Sequence, residues 1–250
     1  MASSLECLGL SGPVDDQLAA LQSVVALLPH DLPVVARDDD LAVVRYDDPS
    51  GVRITLTQTP DLQVVDLLPS LAGRPGAHLH EVTASTAEPV LADVHDDDGE
   101  LLTRLAVDLV QSRFLPEGGS TGPAAVTALA HDVTVHDDVP AYVASIGDGL
   151  PWGAESFVPV GMFGDGPPTP FAQLSGVVLD ASTRRVALTG RQIHVARVRS
   201  VGFEAEVLLD PAEHPHLPPV GGVVTGIVYL IAEMEQLYPP QRRRWFARRP

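Results

Sequence analysis

Two periodicities alternate along the chain. Between residues 13 and 28 apolar side chains recur three and four apart, with Leu18, Leu21, Val25 and Leu28 on one face, Ser11 as a cap and Pro13 near the first turn. This spacing predicts an amphipathic helix, which Pro29 and Pro33 end. From Pro33 the period shortens toward two. Residues 41–46 and 52–57 flank Asp47-Asp48-Pro49-Ser50-Gly51, and residues 90–95 and 101–110 flank Asp96-Asp97-Asp98-Gly99, so each set predicts a β-hairpin. Residues 64–68, 78–83 and 133–135 predict further strands. Four more follow at 173–181, 193–200, 203–210 and 223–232, with a helical turn over 233–238 that Pro239-Pro240 stops.

The resulting fold class is mainly β with an α+β N-terminal part. Residues 147–170 hold two Gly-Asp-Gly pieces and five prolines, which suggests a division into a helix-plus-antiparallel-sheet domain over 1–150, a Pro/Gly-rich linker over 151–170, a small β-barrel over 171–240 and a basic tail over 241–250. A long first hairpin (174–180 and 194–200), a third strand (203–209) and the approach Leu217-Pro218-Pro219-Val220-Gly221-Gly222-Val223-Val224-Thr225-Gly226 make the third part resemble an OB-type barrel. Glycines at that point permit sharp bending at a barrel corner. The fifth strand that the resemblance implies is not apparent, unless residues 156–163 supply it. The chain as a whole resembles proteins of actinobacteria, a resemblance that implies no activity. Internal duplication also comes into consideration, because Val65-Asp66-Leu67-Leu68-Pro69 and Val207-Leu208-Leu209-Asp210-Pro211 each precede a Pro- and Gly-rich loop.

Composition narrows the chemistry. All 16 basic residues are arginine, and asparagine is absent as well, a bias expected of a GC-rich genome. Without lysine there is no Schiff-base, pyridoxal or Walker-A chemistry, and without asparagine no N-linked glycan. Cys7 is the single cysteine, which excludes an internal disulfide and a cysteine zinc site, and its place near an N-terminus expected to be mobile argues against a catalytic thiol. Neither a secretory signal nor an apolar run long enough for a membrane span is found, so a cytoplasmic location is expected. Aspartate clusters lack the alternation of a calcium loop and read instead as turns, since Asp-Gly takes the positions that Asn-Gly would share.

Histidines offer one candidate site. His78 and His80 form a His-x-His pair, as do His214 and His216, and alternate residues of a strand share a face, so each pair could present two imidazoles to a metal. No cofactor is otherwise indicated, no Gly-x-Ser-x-Gly occurs, and no catalytic residue can be named. Arg197 and Arg199 form the best basic stripe of the body, yet single-strand binders join such stripes to stacking aromatics that are scarce here. Nucleic acid is therefore a disfavoured partner.

The strongest functional clue is the end of the chain. Net charge is −17, and Arg242, Arg243, Arg244, Arg248 and Arg249 leave −22 for everything before them. Trp245 and Phe246 stand among these arginines, the residue types enriched at interface hot spots. An anionic membrane would gain about 1 kcal/mol per arginine, but an acidic protein partner uses the aromatics as well. The sequence thus describes a non-enzymatic binding or scaffold protein docking an acidic partner through its Arg/Trp/Phe tail, with a homo-oligomer compatible. The alternatives are a metal-dependent enzyme using both His-x-His pairs, and single-stranded nucleic-acid binding by the OB-like part.

Overall fold

Valine, leucine and alanine at alternating positions favour pleated, half-buried backbone, and strands account for about half of the described residues. The computed structural model describes residues 4–11, 17–37, 40–83, 89–147, 153–161 and 168–238. Helix α1 (Ser4–Cys7) and helix α2 (Gln17–Leu27) precede an antiparallel four-stranded meander of β1 (Val34–Arg37), β2 (Ala42–Asp47), β3 (Val52–Gln58) and β4 (Val64–Leu71). A nine-stranded mixed sheet takes the remaining strands: β5 (Ala77–Thr83), β6 (Val90–His95), β7 (Leu101–Leu109), β8 (Ser120–His136), β9 (Ser156–Pro159), β10 (Phe171–Arg185), β11 (Gln192–Ser200), β12 (Phe203–Leu209) and β13 (Val223–Glu233). Helix α3 (Val139–Ile146) follows β8 and is started by Asp138, whose carboxylate accepts from the Ala141 amide.

The large sheet folds back on itself twice. Strands β5, β6 and β7 form a meander, β8 returns antiparallel to β5, and β13 joins parallel to β7 and antiparallel to β8, closing a five-strand ring. Strands β10, β11 and β12 repeat the meander, β13 returns antiparallel to β10, and β8 joins parallel to β12, closing a second ring. Each four-strand repeat is therefore completed by the last strand of the other. The registers agree: the parallel contacts use Thr127 and Ile231, which lie five residues after Gly122 and Gly226 respectively. Both glycines follow a threonine, in Gly118-Gly119-Ser120-Thr121-Gly122 and Gly222-Val223-Val224-Thr225-Gly226. The first strands match as well, in Ala77-His78-Leu79 and Ala172-Gln173-Leu174.

Several expectations are corrected by these pairings. Residues 156–159 do form a strand, but it lies on the edge of β10 and closes nothing; the closing strand is β8, from the other side of residues 151–170. Hydrogen bonding accordingly does not divide the chain at 151–170. The strand expected at 133–135 is the end of a 17-residue strand. The pairing order recurs within the large sheet, yet Val65 to Pro69 belong to β4, outside both rings. The N-terminus is packed: Cys7 and Leu8 are buried, and the Cys7 thiol donates to the Ala130 carbonyl at 3.0 Å.

The turn chemistry is as the acidic runs suggest. Asp96 accepts from the Asp98 and Glu100 amides, and Gly99 takes the positive φ of 87° that the turn requires. Asp48 does more than turn the chain. Its carboxylate receives the Ser50 amide and hydroxyl, the Tyr46 hydroxyl and the Ala187 and Leu188 amides, so it fastens the small sheet to the β10–β11 turn. Burial pushes this acid up, but the bonds from Ser50, Ala187 and Leu188 outweigh it and hold its pKa below the ordinary carboxylate value.

Candidate functional site

Alternation along β5 turns Leu79 and Val82 into the first ring and leaves His78 and His80 on its outer side. His80 faces Asp93 across β5–β6, and Asp93 faces Arg104 across β6–β7, so one outer face collects these groups. His95 joins them from β6. The His80 and His95 rings stack at 4.6 Å between centroids, and His78 lies 4.8 Å from His80 at a tilt of 48°. Arg104 grips Asp93 through Nε and Nη2, which holds that carboxyl below its usual range. Burial, then the charges of His95 and His78, keep His80 below the ordinary histidine value, against Asp93 and Glu81. The strand bulges at this point, with register shifts toward both neighbours and Glu81 at a φ of 49°.

The other histidine pair lies after β12. His214 donates its amide to the Asp210 carbonyl at 2.9 Å and stands beside His194, while His216 is exposed. Burial lowers both His194 and His214, and the His194 ring bonds Thr183 at 2.9 Å. A third histidine thus joins His78 and His80 in His95, while His194 stands beside His214. Among the described residues no group of three or more His, Cys, Asp or Glu side chains is disposed to hold a metal ion. Neither His95 nor His194 was distinguishable in the sequence, because both arrive through cross-strand pairing.

A recess lies elsewhere, between the end of α2 and the small sheet. It encloses about 910 Å³ and is walled by Val25, Leu28, Leu32, Val44, Leu56 and Val64, with His30, Asp31, Arg37, Gln58 and Thr59 at polar positions. Leu62 is 75% exposed at its edge, and Leu27, Val34 and Val65 add further exposed apolar surface nearby. Such a recess has the size and lining of a ligand or partner groove.

Charged groups with displaced titration are engaged in holding elements together and do not line this recess. Arg45 and Arg53 bind Asp47, Glu233 and Glu235, joining the small sheet to the end of β13. Burial raises Glu233 although Arg53 and Arg45 oppose it. Burial, followed by Asp210, Glu213 and Glu6, pushes the Cys7 thiol up to about 12, where it is no nucleophile. The Arg197 and Arg199 stripe offers little free charge. Arg197 is 3% exposed and bound to Glu204, Glu206 and the carbonyls of Arg74 and Pro75, and Arg199 is bound to Glu155. A strand face read as basic is thus neutralised by its neighbours. Arg242, Arg243, Arg244, Trp245, Phe246, Arg248 and Arg249 lie outside the described residues.

No protein-family model matches the chain, and neither the curated proteins nor the solved structures include a match. Among the described residues no helix is long and apolar enough to cross a membrane.

Proposed function

We propose that the chain is a non-enzymatic binding or scaffold protein that docks an acidic partner through residues 241–250. The observation that carries this reading is the disposition of arginine in the body. Six of the eleven body arginines, Arg45, Arg53, Arg74, Arg104, Arg197 and Arg199, each pair with a carboxylate of the chain itself, and the five tail arginines form the densest run of positive charge in the sequence. An acidic surface is the complement of such a segment, and Trp245 with Phe246 supplies apolar anchorage. The recess agrees with a binding role, since its walls are built largely from Val, Leu and Pro side chains.

The framework is read as a pair of interlocked OB-type barrels. Support comes from the pairing order, in which a three-strand meander, a fourth strand on the first and a fifth parallel to the third recur in both rings. Nucleic-acid binding through this framework is disfavoured by the ion-paired state of Arg197 and Arg199. The metal-enzyme alternative would need His78 and His80 to act with His214 and His216, whereas His80 stacks on His95 and His214 stands beside His194.

Deleting residues 241–250 and comparing proteins captured from the source lysate tests the proposal. Loss of acidic partners is expected, and an unchanged set would overturn it. Stoichiometric zinc, iron or manganese in purified, untagged protein would instead favour the enzyme.

A further inference from the structure

The ladder between β8 and β13 joins two repeats that belong to one chain but need not. It runs from Val223 opposite His136 to Glu233 opposite Ala125, with one irregularity between Ile227 and Val228. Around it, β12 takes β8 in parallel and β7 takes β13 in parallel. Every strand pair that closes a ring across the repeats therefore involves β8 or β13. Residues 137–170 connect β8 to β10, and they contain the Gly- and Pro-rich stretch 147–170.

We infer that two copies of this chain can exchange repeats, β8 of one closing with β13 of the other, so that both rings form between chains with the contacts they make within one. The partner is a second copy because the interface already exists in full. Its backbone bonds, register and buried side chains are those of the internal ladder, where Ala128, Leu129, Val228 and Leu230 are at most 2% exposed. Exchange of identical elements forms dimers at low cost, since only the connection and the entropy of association differ between the two forms. Chain concentration then sets the balance, and folding is the stage at which it is set, because rearrangement afterwards requires opening both rings. This is independent of the tail: an exchanged dimer is built from residues that tail deletion leaves intact.

The test pairs cysteines across the ladder. Asp132 opposes Ile227, and both are accessible positions. A chain carrying Asp132→Cys is unfolded, mixed with a chain carrying Ile227→Cys, and refolded together under oxidising conditions at about 1 and about 100 µM. While the dimer is the minor form, mass action predicts roughly tenfold or more enrichment of the disulfide-linked heterodimer at the higher concentration. The same two cysteines in one chain should close internally at about 1 µM, where monomer prevails, which checks the geometry of the pair. Light scattering of the unsubstituted chain after identical refolding gives a reading that needs no cysteine. A dimer increasing with concentration is expected, and monomer alone at every concentration would overturn the inference.

Discussion

The two four-strand repeats have one pairing order and two different surroundings. The second is covered: β11 and β12 are buried along nearly their whole length, with Gly9 and residues 74–76 laid against the repeat. The first leaves the outer face of β5 and β6 open, with His78 exposed and His80 and His95 half-buried. Pairing order is thus a property of the backbone, carried by glycine bends and strand lengths. Exposure depends on what the rest of the chain places against each face. Buried β11 must satisfy Arg197 internally, with two glutamates and two carbonyls, whereas Arg104 in the open repeat is 43% exposed at its side chain and bonds Asp93 alone.

Substitution can break this comparison most severely at the paired glycines. Gly226 has a φ of 142°, and a Cβ there would meet the Asp132 carbonyl oxygen at 2.1 Å. Gly226→Ala should cost roughly 4 kcal/mol or more, by backbone strain and steric overlap in the shared ladder. At Gly122 the obstacle is the end of the Gln236 side chain, which can swing away, so Gly122→Ala should cost about 1 kcal/mol or less. Urea denaturation of both variants measures the gap, and equal losses would mean that the two positions are not used differently.

The arginines come next. Arg197→Ala leaves Glu206 buried without its ion-pair partner and should cost about 3–5 kcal/mol, the range for breaking a buried pair. Arg104→Ala, in a more exposed pair, should cost about 1–2 kcal/mol. Thermal unfolding of the two variants at one pH decides the order. A smaller effect is expected from removing one ring of the open stack. His95→Ala should change stability by less than about 1 kcal/mol, and a calorimetric loss above 2 kcal/mol would show that the open face is as firmly built as the covered one. The mildest probe leaves the sequence alone: Cys7 should resist alkylation at pH 7.5 in the folded chain and react only after unfolding, as a thiol assay with and without denaturant would show.

Local strands were legible where turn and alternation agreed. Asp48 to Gly51 and Asp96 to Gly99 marked two hairpins, and the C-terminal strands announced themselves through valine and isoleucine. Strand β8 was obscured because Gly122 and Pro123 look like breakers, although Pro123 sits where β8 passes from β5 toward β13. Helix α3 left a readable signal in Asp138, Pro140 and Gly147 that short length disguised. The repeat was hidden for a different reason. Its matching positions are glycines, alanines and leucines, common residues whose correspondence becomes specific only once the parallel contacts at Thr127 and Ile231 fix the offset. Of the candidate site, His78 and His80 could be read together because they are adjacent in one strand. Their association with His95 and Asp93 is a matter of register, which no local pattern encodes.

Because β13 ends at Glu233 and takes part in both rings, the order of synthesis has a consequence. A ribosome that has released residues 1–222 has exposed seven of the eight ring-forming strands, and neither ring can yet close. The long edge of β8 waits for a strand about 100 residues behind it, a separation that makes for slow pairing. Until residues 223–233 emerge, the nascent chain presents an open strand edge to every neighbour it meets, and its exposure to aggregation lasts until that strand arrives.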